Sequence, residues 1–240
     1  MTVSFSDFDS DFHRVRSAFA DPSEDALPTQ AVLAQPIGRG PYRRFFKRML
    51  DVTAIVMAVP VVLPVIAVAA LMVARDGGSP FYTQMRVGMG GRAFRMWKLR
   101  TMVCDADSRM EAYLAENPAA RLEWDSTQKL KADPRITKMG KFLRKSSLDE
   151  LPQLWNVVLG DMSLVGPRPM MINQQNLYPG KAYYALRPGI TGYWQTAGRN
   201  RTTFEARAEY DDAYEANVSL VADIKVLAAT VGVVVNGTGY

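Results

Sequence analysis

The sequence predicts a mostly helical α+β chain: a monotopic membrane protein with an N-terminal re-entrant helix-break-helix ahead of a compact cytoplasmic domain. Three observations carry this. From Val52 to Ala74 there are 23 consecutive uncharged residues, nearly all apolar, enough for about 34 Å of straight helix against a bilayer core of about 30 Å. Pro60 and Pro64 lie inside that run, and both of its flanks are basic. Beyond it, helical periods alternate with short β-rich runs.

Composition narrows the chemistry before any motif is considered. The 240 residues hold one histidine, His13, and one cysteine, Cys104. No disulfide can form within the chain, and a His/Cys zinc site, a Ser-His-Asp triad or a Cys-His pair is improbable with His13 in a polar leader. Acid-base or nucleophilic work therefore falls to carboxylates, Lys, Tyr, Ser or a bound metal ion. The lone cysteine fits a reducing compartment. The net charge is +5, but residues 1–36 carry six acids against Arg14 and Arg16, so the remainder holds +9. Such an excess implies an anionic partner: nucleic acid, phospholipid head groups or a phosphorylated substrate.

The elements follow in order. Residues 1–38, rich in Asp, Ser, Pro and Ala, read as a mobile polar tail with no secretory signal. Residues 39–75 form the anchor. Its basic start, Arg39 to Arg48 with interleaved aromatics, suits an anionic membrane face. A straight transmembrane helix is the plainest reading of the apolar run, but prolines in its middle remove backbone hydrogen bonds. Arg75, Arg86, Arg92 and Arg95 beyond the run also leave no charge bias to orient a span. Both ends read as cytoplasmic, with a break at the prolines.

Residues 76–240 form the cytoplasmic domain. Strand-like runs lie around Phe81 to Thr83 and Arg92 to Leu99, and residues 105–131 read as a polar helical hairpin broken at Asn117-Pro118. Asp133-Pro134 has the form of a helix cap. In the helix after it, Ile136, Met139, Phe142 and Leu143 share one face, and Lys138, Lys141, Arg144 and Lys145 share the other, so that beside an apolar anchor it reads as a membrane-surface helix on anionic lipid. A last apolar or amphipathic helix starts at Leu220.

Chemistry concentrates in two places. Ser147-Leu148-Asp149-Glu150 has capping-box spacing at a predicted helix start. The same positive terminus would keep Asp149 ionised and nucleophilic and would offer an anion site. The adjacent carboxylates would then divide the roles of attack or metal binding and of positioning or proton transfer. Downstream, three Gly/Pro loops present Arg168, Arg187 and Arg199. Prolines on both sides of Arg168 stiffen its loop, which suits bidentate phosphate recognition. Ordinary capping and solvated turns remain alternatives. Nucleic acid is disfavoured, because the basic residues flank an apolar segment and no recognition motif is present.

These residues resemble a known family. The anchor is followed by Arg86-Val87-Gly88, Lys98-Leu99-Arg100-Thr101-Met102, the Asn117-Pro118-Ala119-Ala120-Arg121 stretch and Ser147 to Gln153. Then come Gly160 to Pro169, Arg187 to Gly192, Gly198-Arg199-Asn200 and finally Asp211, Tyr214, Asn217 and Ser219. In that order they resemble the monotopic phosphoglycosyl transferases, the bacterial sugar transferase family, and look most like its undecaprenyl-phosphate galactose phosphotransferases. Asn173 departs from the acid that many relatives carry there, and Pro60 is an additional proline.

The resemblance implies a bacterial inner-membrane enzyme on the cytoplasmic face. It would pass a hexose 1-phosphate from a UDP-sugar to undecaprenyl phosphate through an aspartyl intermediate, releasing UMP, as the first membrane step of exopolysaccharide synthesis. It assigns Asp149 as nucleophile, Glu150 as its partner, and Mg²⁺ as the metal held by both. Lys98, Arg144, Arg168 and Arg199 become the phosphate-facing residues, and Pro64 the membrane break. Anionic inner-membrane lipids are implied partners. The oligomeric state, a homodimer included, and the transferred hexose stay open. A non-enzymatic scaffold on anionic lipid and a glycosyltransferase releasing UDP are the competing functions.

Overall fold

The computed structural model describes residues 40–127, 130, 132–198 and 202–235, which belong to one compact unit. The predicted tail, Arg199 and the end of the chain lie outside the described residues. A π-turn, Tyr42–Phe46, leads into α1, Lys47–Ala74. The hairpin β1, Phe81–Val87, and β2, Ala93–Leu99, follows in antiparallel register from Phe81↔Leu99 to Val87↔Ala93. Gly90 and Gly91 at its tip take φ of 69° and 79°, a region open to glycine without steric penalty.

Helices α2, Ala106–Glu116, and α3, Pro118–Thr127, form the predicted hairpin, broken at Asn117. Then come α4, Lys138–Ser146; α5, Gln153–Leu159; and β3, Ser163–Val165. The short α6, Ala182–Ala185, precedes β4, Gly189–Thr191, which pairs parallel with β3. Helices α7, Arg207–Asn217, and α8, Leu220–Val235, complete the described chain.

The long helix differs from the expectation at Pro64. Helix α1 is continuous, with both prolines inside it. Proline's fixed φ is itself helical, so each ring removes one backbone donor and leaves the helical path intact on either side. Pro60 and Pro64 stand four residues apart, so the two missing hydrogen bonds fall on successive turns of one face.

Burial along α1 is confined to its two ends. Ile55 packs with Phe94, Met96, Val157 and Met162, while Ala69, Ala70 and Val73 pack with Leu99 and Leu143. Both clusters draw on β2. Between them Val56, Met57, Val61, Leu63 and Val68 are exposed. Tyr42–Ala74 is long and apolar enough to cross a membrane.

Polar contacts fix the start of α1. Buried Asp51 accepts from Ser163 Oγ at 2.8 Å and from the Leu164 N–H at 3.1 Å. Asp223 of α8 accepts from Lys47 Nζ, Tyr42 Oη and Tyr214 Oη, each at 2.6 Å. Arg48 donates to the carbonyls of Val157 and Val158 at the C-terminal end of α5.

The start of α4 differs from the expectation. Asp133 does not cap α4: its carboxylate holds Arg135 at 2.7 Å, and Thr137 caps the helix by accepting from the Gly140 N–H at 2.8 Å. The paired guanidinium competes for the aspartate, and a hydroxyl takes the cap. The two-faced reading of α4 is also amended, since Phe142 is exposed and Arg144 turns inward to donate to Thr101 Oγ1 at 2.9 Å. Gly140 lets α4 approach the backbone of Thr101 so closely that a Cβ would collide with the Thr101 carbonyl.

Candidate active site

The two carboxylates sit in a single tight turn. Helix α4 ends at Ser147, in the left-handed region at φ 56°, ψ 18°, and the chain re-enters as a 3₁₀ turn over Leu148–Glu150. Neither Ser147 nor Asp149 makes a side-chain cap, and α5 begins only after Pro152. The predicted capping box is therefore absent. A residue committed to closing one helix cannot adopt the extended backbone of an N-cap for the next. The turn directs Asp149 inward, where it is buried.

Asp149 and Glu150 experience opposite net fields. Burial raises the Asp149 pKa from 3.8 to about 6, against the pull of Lys98 and Arg144 and with the help of the Glu150 charge. This corrects the expectation that a helix terminus keeps Asp149 ionised: desolvation outweighs the cations. Burial also acts to raise Glu150, but Lys98, Arg168 and Arg86 outweigh it and hold Glu150 below the usual range. Lys98 Nζ donates to Glu150 Oε1 at 2.8 Å. One carboxyl thus titrates near neutrality and its neighbour stays anionic.

The Arg168 loop is held by backbone-to-backbone contact. The Gly166 N–H donates to Thr191 O at 2.9 Å, and the Gly189 N–H donates to Pro167 O at 2.8 Å. A Cβ on either glycine would meet the opposing backbone. Arg168 emerges with its guanidinium 5.6 Å from the Trp194 ring.

Two further arginines converge here. Arg207 stacks on Trp194 at 4.2 Å and on Phe204 at 4.9 Å. Arg86 donates to Gln84 Oε1 at 2.6 Å. Burial and then Arg168 lower the pKa of both, that of Arg207 to about 10, which leaves Arg207 a cation at neutral pH. The Nε atoms of Arg86 and Arg207 are buried without a hydrogen-bond partner among the described residues. Mutually repelling guanidiniums with unused donors beside a carboxylate make an anion site.

The structure thus brings Lys98, Arg144, Asp149, Glu150 and Arg168 together from separate parts of the chain. Arg199 lies outside the described residues. Arg187 does not join the cluster: it donates to Gly160 O at 2.9 Å and lines a cavity elsewhere. Arg86 and Arg207 were missed as site residues. Arg86 had a sequence signal in its Arg-Val-Gly motif, while Arg207 reads as one more surface charge on an amphipathic helix.

Among the described residues no three His, Cys, Asp or Glu side chains gather to hold a metal ion. The adjacent carboxylates, one already paired with Lys98, suit Mg²⁺ when substrate phosphate oxygens and water complete its shell.

Comparison with known proteins gives the family of the chain. Residues 42–237 match the bacterial sugar transferase family model. The chain is 47% identical over 198 residues to a UDP-galactose-lipid carrier transferase of Erwinia amylovora, and 43% identical over 198 residues to an undecaprenyl-phosphate galactose phosphotransferase of Salmonella typhimurium. Each alignment covers 82% of this chain and 42% of the relative, so the chain spans about two fifths of their length. It is also 41% identical over 207 residues to the exopolysaccharide production protein ExoY of Sinorhizobium fredii, covering 85% of this chain and 90% of that one.

The raised Asp149 pKa makes a stability prediction. The folded chain holds this proton up to about pH 6, whereas the unfolded chain releases it near 3.8. This contribution to stability is complete below the lower value and is lost as pH rises through the upper one. In EDTA at pH 7.5, Asp149→Asn should melt above wild type, by up to about 3 kcal/mol of stability. The difference should close by pH 4. A less stable Asn variant at pH 7.5 would contradict the assigned field.

Proposed function

The chain belongs to the bacterial sugar transferase family, and from that premise we propose that it transfers a hexose 1-phosphate from a UDP-sugar to undecaprenyl phosphate. The observation that carries this is a buried Asp149 between Lys98 and Arg144, beside a Glu150 held anionic by Lys98, Arg168 and Arg86. Such a site offers a nucleophilic carboxylate and several cations for phosphate oxygens.

An Asp149 carboxylate oxygen attacks the phosphorus that carries the sugar. The P–O bond to the uridine monophosphate half breaks, and UMP leaves with that electron pair. The resulting aspartyl phosphate is then attacked by a phosphate oxygen of undecaprenyl phosphate. The bond to Asp149 breaks, the lipid-linked diphosphosugar forms, and the carboxylate is regenerated. Lys98 and Arg144 stabilise the charge at the attacking end. Arg168, with Arg86 and Arg207, grips the phosphate oxygens away from it, and Arg199 is proposed to join them. Asp149 and Glu150 would hold Mg²⁺, which supplies charge neutralisation of the diphosphate.

The relatives' names support the direction of transfer and a role in exopolysaccharide synthesis. Two of those names specify galactose, and galactose or glucose is the hexose we propose. Product analysis across a panel of UDP-sugars tests the reading. UMP release should require Asp149 and fall at least about a hundredfold in Asp149→Asn, the scale of a lost catalytic group. UDP release would indicate glycosyl transfer, and neither product would leave a scaffold on anionic lipid.

The membrane arrangement we propose is re-entrant on the cytoplasmic face of the bacterial inner membrane, with residues 39–75 as anchor, α1 bending where Pro60 and Pro64 remove its hydrogen bonds, and 76–240 as catalytic domain. Support comes from the two ends of α1, which both pack against β2 of the same domain. A helix crossing the bilayer would carry one end about 30 Å away from that domain. The basic surface beside α1 faces anionic lipid. In a Cys104→Ser background, Met49→Cys and Arg75→Cys should both resist a membrane-impermeant thiol reagent in intact cells. Labelling of either from outside would refute the arrangement.

A further inference from the structure

A cavity of about 670 Å³ opens between the Tyr42–Phe46 turn, the tip of the β1–β2 hairpin and the segment around Arg187. Four arginines line it, Arg43, Arg44, Arg92 and Arg187, against one acid, Asp161. None of its lining residues belongs to the Asp149 cluster.

The four cations fall into two kinds. Arg43 is fixed by Glu215 at 2.9 Å and by Ala185 O at 3.1 Å, and Arg187 by Gly160 O at 2.9 Å. These two shape the wall. Arg44 and Arg92 are exposed and make no side-chain hydrogen bond or ion pair among the described residues. Two unpaired guanidiniums at one opening call for an anion with several acceptor oxygens.

The surroundings select the kind of anion. Phe45 and Phe46 adjoin Arg44 in the turn that enters α1, and Met89 lies at the hairpin tip; all three are exposed. Phe94 and Tyr184 supply apolar surface within the cavity. Exposed aromatics beside cations at the foot of an apolar helix match the boundary between head groups and acyl chains. A free phosphate would use the arginines and gain nothing from the apolar surface.

We propose that this cavity binds the phosphodiester head group of an anionic phospholipid, with Arg44 and Arg92 on the phosphate and the apolar wall along the first acyl methylenes. The proposal rests on membrane association through α1 and is independent of the transfer reaction, so absence of transferase activity would not affect it.

Native mass spectrometry of the full chain released from mixed phosphatidylcholine and phosphatidylglycerol vesicles tests it. Wild type should retain one phosphatidylglycerol in preference to phosphatidylcholine. The paired substitution Arg44→Gln with Arg92→Gln should weaken that retention by about 25-fold, at about fivefold per cationic contact. Arg109→Gln with Arg121→Gln on the α2–α3 hairpin removes the same charge from another exposed surface and should leave retention near wild type. Inorganic phosphate at millimolar concentration should not displace the lipid.

Equal losses in the two double variants would reduce the site to diffuse surface charge and overturn the proposal. So would displacement by inorganic phosphate, which would identify a soluble-anion site. Failure of wild type to retain phosphatidylglycerol would overturn it outright.

Discussion

Two buried carboxylates dock the apolar helix to the rest of the molecule. Asp51 on α1 would be costly to bury unpaired, by several kcal/mol. It is stabilised only where Ser163 and the Leu164 N–H meet it at the start of β3. Asp223 on α8 likewise requires Lys47, Tyr42 and Tyr214. These requirements fix the beginning of α1 against β3 and α8 together. Strand β3 pairs with β4, and Gly166 just after β3 and Gly189 at the start of β4 hold the Arg168 loop in position. Helix α1 is thereby tied, through β3 and β4, to the loop that carries Arg168.

Within the site, burial and charge compete, and two neighbours resolve the competition differently. Asp149 faces inward and desolvation wins, lifting it to about 6. Glu150 points toward Lys98, Arg168 and Arg86, and the cations win. A 3₁₀ turn produces this divergence, since adjacent residues in a tight turn project in different directions. A nucleophile needs some basicity to attack phosphorus, and a carboxylate raised toward neutrality has more of it than one held at the ordinary value. An anionic Glu150 holds Lys98 Nζ close, at 2.8 Å.

Local pattern made the apolar anchor, the hairpin of β1 and β2, the break at Asn117 and the final helix legible in the sequence. Each is set by residues close together in the chain. Asp149, Glu150, Lys98, Arg144 and Arg168 were legible through motif order. What could not be read was which partner wins at a shared group. Asp133 had the spacing of a cap, but Arg135 two residues away claimed it. Ser147 had the spacing of a capping box, but closing α4 took its backbone out of the required region. The Lys98 to Glu150 pair and the approach of Arg86 and Arg207 to Arg168 join distant segments and follow from tertiary packing alone. Pro64 marked a lost hydrogen bond correctly; its neighbours nevertheless keep α1 helical.

The most direct test of Asp149 as a covalent nucleophile is peptide mass spectrometry of the membrane-bound chain held with UDP-galactose or UDP-glucose and no undecaprenyl phosphate. Wild type should gain the mass of one hexose phosphate on the peptide containing Asp149, with UMP released in equal amount, and Asp149→Asn should gain nothing. A hexose-phosphate adduct on another residue, or lipid-linked product formed at the wild-type rate by Asp149→Asn, would contradict the assignment.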